Sequence, residues 1–215
     1  MILNKKDFTS LSYFAYIFIF LCTILLTACT FTQKLSTKSI KKKTDTEWIT
    51  HQKKLIQLKK FNTRGSFTYI DNHNKIYANF FWQQNNFLNY HLFFNNPLGT
   101  TEFMLYVTPD FTTITDKKNK KYTNKKPGEL IHKLIHIKIP IENFSYWLVG
   151  LPINATSFTL KNNGLLKTIK YIKNGEIWNI NYLSYSKKNQ LKLPSNIELQ
   201  QSDKHIKLKI HNWDF

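Results

Sequence analysis

The stretch Ile206-Lys207-Leu208-Lys209-Ile210-His211 alternates apolar and polar side chains without interruption. Successive side chains of a β-strand point to opposite faces, so this segment offers one face to a core and one to water. The same two-residue period recurs upstream. Phe67 and Tyr69 alternate with Ser66 and Thr68, and Trp178, Ile180 and Tyr182 alternate with Ile177, Asn179 and Asn181. Turn-forming residues separate such segments: Asp71-Asn72-His73-Asn74, Asn85-Asn86, Asn95-Asn96-Pro97-Leu98-Gly99, Asn163-Gly164 and Asn174-Gly175. Asn and Gly tolerate the positive φ that tight hairpins require. The spacing predicts further strands over 75–84, 88–94, 101–108 and 111–115, with a short partner near Tyr122.

Three segments change period. Thr44-Asp45-Thr46-Glu47 has capping-box spacing. Beyond it Trp48, Leu55, Ile56 and Leu58, then Phe61, fall on one broad face of a helix of about four turns. Leu130, Ile131, Leu134 and Ile135 give helical spacing from Glu129 to His136, after Pro127-Gly128. A third helix is expected over Ile141–Val149, with Phe144, Trp147 and Leu148 as contacts, stopped by Gly150 and Pro152. Hairpin-linked strands with one apolar face, interrupted by amphipathic helices, predict a mainly β, α+β domain. Its sheet would be strongly curved or barrel-like, with the helices filling or capping it.

The N-terminus reads differently. Lys5 and Lys6 precede a nearly uncharged run from Phe8 to Ala28, closed by Leu25-Leu26-Thr27-Ala28-Cys29. A positive end, an apolar middle and a small residue before a cut make a secretory signal. An uncleaved membrane anchor is the alternative, since about 20 apolar residues span a bilayer. A cysteine directly after Leu-Thr-Ala resembles the lipobox of bacterial lipoproteins, which implies that Cys29 becomes the lipidated first residue. The organisation expected is a signal peptide over 1–28, a lipidated Cys29 with a Lys/Ser/Thr-rich tether over 29–46, and a single domain over 47–215. The chain has two cysteines, Cys22 and Cys29, so the mature domain would contain no disulfide and no cysteine-built zinc site.

A formal charge of +18 invites a nucleic-acid or anionic-membrane partner. Of the 31 basic residues, however, only Arg64 is arginine, and the chain is crowded with Asn, Ile, Phe and Tyr. That spectrum is what AT-rich codons produce, and lysine is a weak choice for base or bidentate phosphate recognition. Export argues against nucleic acid; attraction to lipid headgroups stays open. His132 and His136 lie four apart on a helix, but Lys133 stands where a metalloprotease glutamate would be, and no third ligand is evident. No Ser-His-Asp set, phosphate loop or paired carboxylate stands out. Neither catalysis, metal nor cofactor is expected.

Several pieces in fixed order resemble the LolB family of outer-membrane lipoprotein receptors over nearly the whole mature chain. They begin with Trp48 and His51-Gln52, Thr63-Arg64-Gly65-Ser66-Phe67, and Phe80-Phe81-Trp82-Gln83-Gln84. Asn96-Pro97-Leu98-Gly99 with Thr101-Glu102 follows, then Trp147-Leu148 with Gly150-Leu151-Pro152. Asn174-Gly175 with Trp178, and Ile206-Lys207-Leu208-Lys209 with Asn212-Trp213, complete the series. The resemblance implies an incomplete antiparallel β-barrel, covered by helices, around an apolar cavity. That cavity would take lipoprotein acyl chains from a periplasmic LolA-like carrier and release them into outer-membrane phospholipid, the protein acting as a monomer. It also implies that Leu98, flanked by Pro97 and Gly99, enters the membrane; a turn residue folded back onto the barrel is the alternative. Thr30, where aspartate commonly signals inner-membrane retention, favours the outer membrane.

Aromatic content of 15% is enough to line such a cavity, and Phe80, Trp82, Trp147 and Trp178 are the candidates. Ordinary core packing is the other reading of each. Arg64 has two readings as well, a helix-capping donor or a latch on a lid. The competing functions are a structural or assembly lipoprotein that scaffolds another envelope protein and, third, an enzyme acting on envelope lipid or peptidoglycan.

Overall fold

Eleven antiparallel strands form one sheet in this computed structural model, which describes residues 44–215. The expectations about 1–43, including the export signal, Cys29 and most of the tether, lie outside the described residues. Residues 44–57 form helix α1, so 44–46, assigned to the tether, are helical. Strands β1 (Phe61–Ile70), β2 (Lys75–Asn86), β3 (Asn89–Asn95), β4 (Thr101–Val107), β5 (Thr112–Asp116) and β6 (Lys121–Asn124) follow as a meander. The chain then crosses the sheet through α2 (Pro127–Ile135), a 3-10 turn (Ile141–Asn143) and the short α3 (Phe144–Trp147). A second meander completes it: β7 (Ser157–Leu160), β8 (Leu166–Lys173), β9 (Glu176–Lys188), β10 (Leu191–Gln201) and β11 (Lys204–Asp214). β11 pairs with β1, joining the two meanders and leaving β6 and β7 as edges. Residues 46–215 form one compact unit.

The alternation predicted for the last strand is present: Ile206, Leu208 and Ile210 are buried and Lys207 and Lys209 exposed. Opposite them on β1, Tyr69, Phe67 and Gly65 point the same way. A bulge skips His211 between the Arg64 and Gly65 pairs, which resets the period so that Trp213 also points inward. Gly65 is required by close approach: a Cβ there would sit 2.1 Å from the Lys209 carbonyl oxygen and 2.8 Å from the Phe80 ring.

Two hydrogen bonds demonstrate the curvature. Tyr90 of β3 donates to the Ile141 carbonyl (3.4 Å), and Tyr182 of β9 donates to the Trp147 carbonyl (2.8 Å). β3 and β9 are five steps apart in the sheet, about 24 Å if flat. Residues 141 and 147 are only about 9–12 Å apart along a short helix. The sheet therefore wraps the crossover. Burial keeps the Tyr182 hydroxyl protonated, well above its ordinary range, so it remains a donor. The sheet stays open at β6 and β7, as an incomplete barrel requires.

The expected helices are present with two differences, and the strands add two more. Ile56 of α1 is 44% exposed; the buried stripe is Trp48, Leu55 and Leu58, because α1 lies against the sheet's end over the β7–β8 turn and turns only a narrow face inward. The third helix is shorter than expected and buried nearly all round, with Ile141, Asn143, Phe144, Ser145, Trp147 and Leu148 all inside. It plugs the barrel, where an amphipathic helix would cap it. The β2–β3 turn falls at Phe87-Leu88, two residues after Asn85-Asn86, with the Asn86 side chain accepting the Leu88 N–H (2.9 Å). Strand β10 was not anticipated. Its apolar period is broken by bulges around Pro194–Asn196.

The registers also sort the turns. Ile70 pairs with Lys75 and His205, Asn79 with Asn95, Phe103 with Asp116, and Gln200 with Asn179. Turns 71–74, 96–100, 117–120, 174–175 and 202–203 thus lie at one end of the sheet. Helix α1 covers the other.

Candidate apolar cavity and its rim

An apolar cavity of about 490 Å³ lies between α2 and the inner face of β1–β6. Its walls are Phe67, Ala78, Phe94, Phe103 and Ile114 from the strands, and Ile131, Leu134, Ile137, Ile139 and Ile141 from the crossover. The strands supply these residues because the two-residue period aims every second side chain inward. The rings interlock: Phe67 meets Phe94 edge-on at 5.2 Å, and Phe94 lies 4.6 Å from Phe103. Polar atoms come from Asn96, Glu102, Asp116 and Tyr122, all near the turn end of the sheet.

Asn96 ties this rim to the neighbouring turn. Its carboxamide oxygen accepts the N–H of Leu98 and of Thr100, both at 3.0 Å, and its amide nitrogen donates to Glu102 at 3.1 Å. The Gly99 N–H closes the turn onto the Asn96 carbonyl at 2.9 Å. Pro97 presets φ at the first central position, Leu98 keeps a negative φ, and Gly99 takes φ +87°, a type I turn followed by a left-handed glycine. Leu98 is left with nowhere to fold back and is 92% exposed. The turn-tip placement expected for Leu98, Pro97 and Gly99 is therefore found, beside the cavity's rim. Asn96 was quoted in the motif without a role. The signal for it was an Asn directly before Pro, a turn-initiating pair.

The four aromatic candidates are not brought together. Phe80 is buried behind Gly65, and Trp82 stacks on Tyr90 (4.2 Å) and donates to Gln84 (3.1 Å). Trp147 packs in the plug and donates to the Ile153 carbonyl (3.0 Å). None of these three lines the apolar cavity. Trp178 lines a separate depression of about 590 Å³ on the other flank of α2. That depression is larger, but it is bordered by Lys126, Glu129, His132, Lys138, Glu142, Lys173 and Glu176, with Lys138 and Glu176 paired at 3.6 Å. Those charged groups suit water and ions over much of the wall, while Ile139, Pro140, Tyr171 and Trp178 give it an apolar part. The residues lining the apolar cavity are plain Ile, Leu and Phe, which composition alone does not distinguish from core.

Arg64 is exposed on the outward side of β1, away from the cavity. His136 caps α2 in the left-handed conformation (φ 57°). Among the described residues no three His, Cys, Asp or Glu side chains cluster as metal ligands, and no helix is long and apolar enough to cross a membrane.

The open antiparallel sheet curled round a helical plug is similar in fold to solved structures of two kinds. The solved structure of a LolA superfamily protein from Nitrosomonas europaea matches with a TM-score of 0.52 at 8% identity, over 77% of this chain and 93% of that one. A DUF1329 family protein from Desulfovibrio piger matches equally in TM-score, 0.52, at 4% identity, over 82% and 92%. Within that fold class the sequence is more specific. The family model "Outer membrane lipoprotein LolB" matches residues 59–213. The outer-membrane lipoprotein LolB of Photorhabdus laumondii is 45% identical over 192 residues, covering 89% of this chain and 91% of that protein. That of Pectobacterium atrosepticum is 41% identical over 193 residues, covering 90% and 92%. The chain belongs to the LolB family. It is a lipid-anchored protein of the outer membrane, facing the periplasm, from a family of lipoprotein-localization factors.

Proposed function

We propose that the cavity beneath α2 receives the acyl chains of a lipoprotein from a periplasmic LolA-like carrier, and that Leu98 then opens the route into the inner leaflet of the outer membrane. The observation that carries this reading is the shared rim: Asn96 and Glu102 border the apolar cavity and also brace the turn that exposes Leu98. Acyl chains leave water with roughly 0.8 kcal/mol per methylene, so a chain in transit stays in the cavity until a better apolar phase touches its mouth. An exposed leucine entering the headgroup boundary brings that phase to the rim. No nucleotide is needed, since each handover runs down an affinity gradient of about 1.4 kcal/mol per tenfold step. The protein works as a monomer anchored through lipidated Cys29.

With a water-sized group taking about 30 Å³, the cavity as it stands has room for about 16 such groups, near one long acyl chain. A lipoprotein that carries more than one such chain is therefore fully loaded only if a wall moves. α2 is that wall. The plug is pinned to the sheet through Tyr90, Tyr182 and Ser145, whose hydroxyl donates to the Phe87 carbonyl at 2.8 Å. α2 instead presents the apolar Ile131 and Leu134 to the cavity, and its Gly128 N–H is tied to Glu142 at 3.2 Å.

The test is transfer of a labelled lipoprotein from its carrier to this protein and onward to liposomes. Leu98→Glu is expected to retain cargo uptake and lose delivery. Equal delivery by variant and parent removes the role of Leu98, and failure of the parent to take cargo removes the whole reading.

A further inference from the structure

Six lysines fall within residues 117–126, the densest cationic run among the described residues. Four of them, Lys117, Lys118, Lys120 and Lys121, form or flank the β5–β6 turn, and all four are exposed. That turn stands at the same end of the sheet as the Leu98 turn, one hairpin away, since β4 and β5 are paired. The two turns are also joined by side chains. Asn96 holds the Leu98 turn and donates to Glu102, and Glu102 accepts from Lys117 at 3.3 Å. The acid inside the lysine turn is consumed in building it: Asp116 accepts the N–H of Lys118 (2.8 Å) and of Lys120 (2.9 Å), while Asn119 takes the left-handed conformation. Its carboxylate faces the turn's own amides; the Lys120 ammonium lies over the Tyr122 ring at 5.1 Å, and Lys118 and Lys121 are exposed.

We infer that the β5–β6 turn is a phospholipid-headgroup site, in which Lys118, Lys120 and Lys121 meet the phosphates of an anionic bilayer while Leu98 enters its acyl boundary and Lys117 stays paired with Glu102. This rests on the proposed membrane entry of Leu98 and adds to it an electrostatic partner that sets where and how deeply the turn docks. Charge complementarity favours the membrane as occupant. A single leucine contributes too little apolar area to hold a surface by itself, whereas each lysine near an anionic surface multiplies binding by about fivefold at moderate salt. The braced Asn96–Glu102–Lys117 connection holds the apolar and cationic parts in fixed register, so both reach the interface together.

The test uses the full chain with a dansyl-bearing amino acid at position 98, reconstituted into phosphatidylcholine vesicles with or without phosphatidylglycerol. Dansyl emission should shift to the blue with phosphatidylglycerol and revert as salt screens the charges. The variant K118Q/K120Q/K121Q, which keeps the Lys117–Glu102 pair, should lower the ratio of inserted to uninserted turn at least about tenfold, and arginine at the same three positions should restore it. Insertion that ignores phosphatidylglycerol, or that the glutamine variant leaves unchanged, overturns the proposal and leaves the lysines as protection of the β6 edge against strand pairing. If the glutamine variant loses uptake from the carrier and keeps insertion, the turn is a protein-docking surface and the proposal also fails. No insertion into any vesicle removes the Leu98 reading itself, a result distinct from the other two.

Discussion

Ala78 offers the sharpest test of where acyl chains lie. It sits on β2 opposite Phe67, lines the cavity, and is the smallest side chain in its wall. Ala78→Phe adds six carbons pointing into a space that already exists, so the ring should displace cargo and not protein. Excluding six methylenes from the cavity at roughly 0.8 kcal/mol each gives an upper bound of about 5 kcal/mol in lost acyl-chain affinity. A chain that reroutes past the ring recovers part of this. A loss of tenfold to several hundredfold is therefore expected in the Kd of a fluorescent acyl probe. Because the substitution fills a void, thermal stability should hold or rise slightly. Ile131→Trp, from the opposite wall on α2, should act in the same direction. Undiminished probe binding by both folded variants would refute the assignment and place the chains elsewhere, for example among Phe80, Trp82 and Trp147. A large fall in Tm for Ala78→Phe would show instead that the space is not open to a ring.

Two further predictions concern the frame that carries the site. Gly65→Ala drives a methyl into the Lys209 carbonyl and the Phe80 ring and should cost about 1–3 kcal/mol, lowering Tm by roughly 2–12 °C; an unchanged Tm would refute the close-approach argument. Asp71 accepts the His73 N–H (2.8 Å), then the Tyr69 hydroxyl (2.8 Å) and the Asn74 N–H (2.6 Å), which hold its carboxyl at about 2, below the ordinary 3.8. A depressed folded-state value means that its stabilisation is full above about 3.8 and fades as pH falls through about 2. Asp71→Asn should therefore be less stable than the parent near neutrality, with the two converging in strong acid. Parallel stability curves across that window, or a carboxyl that titrates by NMR at its ordinary value, would contradict the assignment.

What the sequence revealed follows from which signals are local. The hairpins at 71–74, 174–175 and 163–164 were legible because a tight turn selects its residues by φ, and that selection is written in two or three positions. The alternation of β11 and β9 was legible for the same reason, since one buried face imposes a period of two. β10 was hidden because bulges around Pro194–Asn196 shift its register against β9, and each bulge breaks the local period of two. The cavity was illegible for a deeper reason. Ile131, Leu134 and Phe103 have the chemistry of core residues, and what makes them cavity wall is a missing neighbour, which no residue type records. Trp82 and Trp147 drew attention as large aromatics, yet their indole N–H groups are each satisfied by an internal acceptor, Gln84 and the Ile153 carbonyl. Such satisfaction is what core packing asks of a buried indole, so a large aromatic by itself does not point to a cargo wall. Leu98 stood out for the opposite reason. A leucine at a Pro-Leu-Gly turn tip gains nothing from turn propensity and nothing from burial, so its presence points to something outside the folded chain. In this fold, function is most readable where local physics fails to explain the residue, and least readable where local physics explains it too well.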